Sequence, residues 1–166
     1  LKQFYDFTNI NIIFTTCCLN KTSIEYMNYN NYPNLKIIDA LIMSISLPIL
    51  FKPFKLNNNF YVDGALLNGY PIDYFDKDIE KTLGILLREE IGDNELDSFE
   101  KYCNSLLFLN LNYNIKNKYE KYKKQKILIK TKINSFNFNL QNEHKEELIC
   151  CGKDCSLEFF KNYSDS

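Results

Sequence analysis

The sequence predicts an α/β fold, with helices packed on both faces of a mixed, mostly parallel sheet. Three observations carry that expectation. Between Asn9 and Cys17 the residues Ile10, Ile12, Ile13 and Phe14 form a near-continuous apolar run, the pattern of a strand covered on both faces. Leu35 to Ser46 carries Ile38, Leu41, Ile42 and Ile45 at helical spacing, with Ile37, Ala40 and Met43 on the remaining sides, the pattern of a buried helix. Thr82–Leu87 and Ile127–Thr131 then read as two further strands with a long helical stretch between them, and such mixing of elements is met by layered α/β architectures.

With 45% of 166 residues hydrophobic and 15% aromatic, the chain can bury a core of its own, so disorder is excluded. The net charge of −1 creates no field that would gather nucleic acid or anionic lipid, and no nucleic-acid partner is expected. The longest apolar stretch, Ala40–Phe51, is interrupted by Ser44, Ser46 and Pro48 and is too short to cross a bilayer. No signal-peptide pattern opens the chain, and the first methionine is Met27. The expectation is therefore a soluble chain, cytoplasmic or membrane-peripheral, whose record begins inside a longer reading frame. Six cysteines without secretory evidence read as free thiols.

Taken in order, Leu1–Phe7 reads as a helix end, Asn9–Cys17 as the first strand, and Lys21–Tyr26 as its return, followed by an Asn-Tyr loop from Asn28 to Pro33. Pro48 and Pro53 stop the Leu35–Ser46 helix and lead into a strand ending at Asp63. A short helical turn follows Pro71, then the Thr82–Leu87 strand. Asp97-Ser98-Phe99-Glu100 has capping-box spacing for a helix bearing Phe99, Cys103, Leu106, Leu107 and Tyr113. Ile127–Thr131 is the next strand. Phe136–Leu140 alternates as a half-exposed edge would, and Asn142–Asn162 closes the chain as a helix with Leu148, Cys151, Cys155 and Phe159 on one stripe.

The chemistry is concentrated in Asn57–Pro71. Phe60, Tyr61 and Val62 favour a strand and Asp63-Gly64 breaks it, which sets a carboxylate at the strand's end. Open α/β sheets keep ligands at such ends. A carboxylate held there can take a proton from a nucleophile on a neighbouring turn. Asp-Gly also ends strands as an ordinary turn, so the pair alone leaves both readings open.

Ser44-Ile45-Ser46-Leu47-Pro48, then Phe51 and Pro53, then Tyr61-Val62-Asp63-Gly64-Ala65 with Asn68 and Pro71, resembles the second half of a patatin-like phospholipase domain. The resemblance implies that Asp63, Gly64 and Ala65 are the family's Asp-Gly-Ala motif and that Asp63 is the proton acceptor of a Ser-Asp dyad. It implies a lipid acyl hydrolase of phospholipase A or related type, acting on phospholipid or another acyl-ester lipid, with peripheral membrane contact. No cofactor and no metal are implied. The family's nucleophile sits in a Gly-x-Ser-x-Gly elbow behind a glycine-rich oxyanion loop. Here the five glycines are Gly64, Gly69, Gly84, Gly92 and Gly152, and none of them flanks a serine in that way. Residues 1–166 are thus expected to be the C-terminal portion of a single patatin-like phospholipase domain, an incomplete three-layer structure that is inactive alone. An exposed sheet edge or uncovered apolar face is expected where its early strands belong. The alternative is a non-catalytic patatin-like module for a lipid surface or a protein.

Other constellations have plainer readings. Ser44 and Ser46 lack an elbow and read as packing or backbone-bonding serines. Asp73, Asp76, Asp78 and Glu80 lack the alternation of a calcium loop and read as a solvated surface. His144, Cys151 and Cys155 share a helical face but have no fourth ligand at recognisable spacing, so the thiols read as small hydrophobes. The lysines of Lys116–Lys126 read as a solvated helix C-terminus, against a phosphate-attracting patch. A nucleic-acid module built on Lys116–Lys132 has no motif to support it.

Overall fold

A computed structural model describes residues 1–89, 96–133 and 139–164. It divides into two units, Leu1–Pro71 with Leu96–Lys118, and Ile72–Glu95 with Tyr119–Ser166.

In the first unit, helix α1 (Lys2–Thr8) ends at Asn9, whose left-handed φ of 55° lets its N–H reach the Tyr5 carbonyl at 2.7 Å. Strand β1 (Phe14–Cys18) turns through Thr22 into β2 (Ser23–Met27). Helix α2 (Ile37–Ile45) leads to β3 (Phe54–Leu56), and β4 (Asn59–Asp63) follows after only two residues. Those two, Asn57 and Asn58, both have positive φ (47° and 65°), the requirement of a tight hairpin turn and one that asparagine meets more readily than most residues. The four-residue helix α3 (Ala65–Asn68) comes next.

Pro71–Lys81, in the second unit from Ile72 on, forms a run of 3₁₀ turns with non-helical dihedrals at Phe75 and Asp78, and β5 (Gly84–Glu89) follows. Helix α4 (Phe99–Lys121) belongs mostly to the first unit. A 3₁₀ turn at Lys123–Gln125 leads to β6 (Lys126–Thr131), and α5 (Asn142–Ser164) packs on it.

The expected mixed, mostly parallel sheet is not what forms. Four strands make an antiparallel sheet in the order β2-β1-β4-β3, and β5 pairs with β6 in a separate parallel sheet of two. The connections explain the difference. A parallel neighbour needs a crossover of about a dozen residues or more, whereas the turns after β1 and β3 are too short for one and return antiparallel. The longer connection from β2 through α2 delivers the chain beyond β1, so β2 and β4 run the same way but are separated by β1. Only β5 and β6, with α4 between them in sequence, form a parallel pair.

Further expectations are corrected at the level of elements. The apolar run from Asn9 is a strand only from Phe14, and Ile10 is exposed. From Thr16 to Cys18 β1 is buried on both faces. One face of the sheet meets α2 in a core of Cys18, Met27, Ala40, Met43 and Tyr61, closed by Leu1 and Leu35. Helix α2 buries Ala40 and Met43, while Ile38, Leu41, Ile42 and Ile45 are exposed, so it is not buried all round. Its outer face is apolar and exposed. For α4 the cap is Ser98, whose Oγ accepts the Lys101 N–H at 3.2 Å, and Asp97 instead pairs with the Lys101 ammonium at 2.8 Å. The expected edge strand over 136–140 falls on residues 136–138, outside the described residues, as do Gly92 and 93–95 of the polar stretch before α4.

Candidate active site

Asp63 is the last residue of β4 and lies opposite Thr16 of β1. Its N–H donates to the Ser46 carbonyl at 2.9 Å, which ties the strand's end to the C-terminus of α2. Its Oδ1 accepts the Ala65 N–H at 2.7 Å, an Asx turn that starts α3. Backbone on either side therefore fixes both the main chain and one carboxylate oxygen. Among the described residues no hydrogen-bond partner meets Oδ2, and the residue is half-buried. Burial pushes the Asp63 carboxyl above the ordinary carboxylate range, against the opposing pull of the Ala65 N–H.

Gly64 is required by space, not by dihedral angle. Its φ of −66° and ψ of −24° are open to any residue. A Cβ there would sit 2.5 Å from the carbonyl carbon and oxygen of Thr15 and 2.8 Å from the Thr15 Cβ. Only glycine allows the turn to lie this close to β1. The Cys17 thiol donates to the Gly64 carbonyl at 3.6 Å, and burial pushes that thiol up to about 11, which keeps it protonated at neutral pH.

The sheet pushes two carboxylates in opposite directions. Glu25, Thr16 and Asp63 are paired across three adjacent strands and so share one face. Burial acts upward on Glu25, but hydrogen bonds from Lys21 at 2.8 Å and from the Tyr32 hydroxyl outweigh it and hold the carboxyl below its usual range. Glu25 is a committed anion. Asp63, with one neutral donor and partial burial, is held above its usual range instead. The Thr16 hydroxyl between them is fully buried and makes no hydrogen bond among the described residues.

Asn68, part of the motif read from the sequence, is buried at the end of α3. Its Nδ2 donates to the Tyr26 hydroxyl at 3.1 Å, and its Oδ1 accepts from the Lys118 ammonium at 2.7 Å. Lys118 also donates to the Tyr70 carbonyl at 3.4 Å. The lysine is thus a strut behind the motif. Ser46 Oγ donates to the Ile42 carbonyl at 2.6 Å, the backbone bond expected of it.

The remaining candidates stand elsewhere. Asp76, exposed like Asp78 and Glu80, accepts from Lys121 at 3.1 Å and from the Tyr122 hydroxyl, so the solvated acidic surface also carries a link to the end of α4. Lys126, read as solvated, is buried, donates to the Tyr119 carbonyl at 2.8 Å and lies 2.9 Å from the centre of that ring. His144 is exposed on α5, and Cys151 donates to the Lys130 carbonyl at 3.4 Å. Sequence reasoning missed β3, Thr16 and the Lys118 strut. The paired asparagines before Asn59 signalled the hairpin, but cross-strand partners and a contact from residue 118 have no sequence signature.

Comparison with known proteins bears on the same stretch. The sequence pattern of the patatin-like phospholipase family matches residues 4–76, which include β1 to β4, Asp63 and α3. An uncharacterized protein of Acanthamoeba polyphaga mimivirus, R571, is 32% identical over 153 residues, covering 86% of this chain and 52% of that protein. The probable lipid hydrolase 463L of Invertebrate iridescent virus 6 is 35% identical over 72 residues, 43% of this chain and 25% of that protein. The chain thus spans about half the length of the first of these relatives and a quarter of the second.

Proposed function

We propose, since residues 4–76 belong to the patatin-like phospholipase family, that the complete protein is a lipid acyl hydrolase in which Asp63 is the proton acceptor of a Ser-Asp dyad. The observation that carries this reading is the Asp63 carboxylate itself, anchored through Oδ1, raised by burial and free at Oδ2 among the described residues. The nucleophilic serine and the oxyanion donors are supplied by sequence outside these 166 residues, which hold no Gly-x-Ser-x-Gly.

In the first step the serine oxygen attacks the ester carbonyl while its proton passes to Asp63. The tetrahedral intermediate collapses, the leaving alcohol takes that proton, and an acyl-serine remains. Water then attacks the acyl-serine, giving its proton to Asp63, which returns it to the serine oxygen as the fatty acid departs. A carboxyl with a raised pKa holds a proton through such a cycle more readily than an ordinary one. The substrate is a phospholipid or another acyl-ester lipid. Peripheral contact with its surface is supported by the exposed Ile38, Leu41, Ile42 and Ile45 of α2. No described helix is long and apolar enough to cross a membrane.

Fatty-acid release by the complete reading frame, with and without Asp63→Asn, tests the assignment. Loss of about 10²–10⁴-fold in kcat is expected, and equal activity in the two proteins removes Asp63 from the mechanism. The second reading is a non-catalytic lipid-surface or protein-interaction module, favoured by the same apolar face of α2 and by the missing serine motif. A complete reading frame without Gly-x-Ser-x-Gly decides for it.

A further inference from the structure

The second unit holds a cleft of about 630 Å³ that the dyad does not use, a volume within the ~300–1,000 Å³ of small-molecule sites. Its apolar wall is the end of α5, where Phe159 meets Phe160 edge-on with ring centres 5.4 Å apart and stacks on Tyr163 at 6.1 Å. Leu83, just before β5, extends that wall. Its polar wall is Lys81, at the end of the 3₁₀ run, and Lys124, in the short turn before β6. Among the described residues neither lysine has an ion-pair or hydrogen-bond partner. Among the described lining residues Glu80 is the one carboxylate, which leaves a single positive charge in excess.

Two cations without a counter-ion, beside an aromatic wall, match a ligand with one anionic end and a long apolar body. We propose that this cleft binds a long-chain fatty carboxylate, its head between Lys81 and Lys124 and its chain along Phe159, Phe160 and Tyr163. The excess of one charge selects the head group. A carboxylate neutralises it, whereas a phosphate monoester, with a charge of about −1.5 to −2 near neutral pH, leaves negative charge beside Glu80. The lining belongs to one unit and excludes Asp63, so the proposal stands whether or not the hydrolase reading does.

Displacement of a fluorescent fatty-acid probe from the full chain by octanoate, decanoate and dodecanoate, each below its micelle concentration, tests it. Affinity is expected to rise about fourfold per added methylene. Replacing both lysines, K81Q with K124Q, is expected to weaken dodecanoate about tenfold while leaving uncharged dodecanol unchanged. Both side chains are exposed, so the fold survives the change. Absence of saturable binding to the wild type overturns the proposal, as does a double variant that binds dodecanoate as well as the wild type does. Tighter binding of dodecyl phosphate than of dodecanoate overturns the choice of head group. A change in dodecanoate affinity, in either direction, on Asp63→Asn with none on the lysine pair puts the ligand in the Asp63 region and overturns the location.

Discussion

At Asp63 two local forces oppose each other, and burial exceeds the pull of the Ala65 N–H. The folded carboxyl therefore holds its proton to higher pH than the unfolded one. Between the two pKa values the native state binds more protons, so stability falls as pH rises through that window, and at neutral pH the ionised group is a net burden on the fold. Asp63→Asn, which keeps an oxygen for the Ala65 N–H, is expected to be more stable than the wild type at neutral pH. The advantage closes below the ordinary carboxylate range, and chemical denaturation at both pH values measures it. A variant destabilised at neutral pH but not at low pH would mean that the charge itself is supported. Gly64 is constrained by contact. Gly64→Ala is expected to cost about 1–3 kcal/mol in unfolding free energy, because the clash is with Thr15 backbone and not with a movable side-chain end.

The elements around the motif are short and depend on one another. Four residues make α3, too few to be stable alone, and its end is held by Asn68 between Tyr26 and Lys118. Lys118→Met removes the charged donor and leaves the Asn68 oxygen buried without it. A loss of about 1.5–3 kcal/mol is expected in denaturant unfolding. Were Lys118 merely one of the surface lysines of its helix, the change would be negligible. The hairpin of β3 and β4 supplies the other support, since pairing with β3 and β1 on its two sides makes β4 a central strand. A central strand presents Asp63 at a fixed height.

On the scale of the whole molecule, each unit has its own sheet and the two differ in burial. The first unit buries Cys17, Cys18, Met27, Ala40, Met43, Tyr61 and Val62 to 2% exposure or less. In the two-stranded sheet Leu86 and Ile127 are buried, but Ile85 and Leu87 are exposed. Two strands are marginal without a larger packed face. Amide hydrogen exchange is expected to show β1 and β4 opening only with global unfolding, and β5 and β6 opening at lower free energy. Equal protection in both sheets would show that they unfold as one body.

The sequence by itself determined every helix but α3, most of the strand positions, and the placing of Asp63 at a strand end before a glycine. Those follow from periodicity, turn chemistry and a motif of adjacent residues, all of which are local. Strand direction and the environment of the carboxylate were decided by tertiary structure alone. Whether β1 and β4 run parallel depends on where the chain re-enters the sheet after α2. That the carboxyl of Asp63 is raised and that of Glu25 lowered depends on Lys21 and Tyr32 closing around Glu25, while Asp63 receives only the amide of Ala65. Both outcomes come from contacts between distant residues, and such contacts leave no pattern in one sequence.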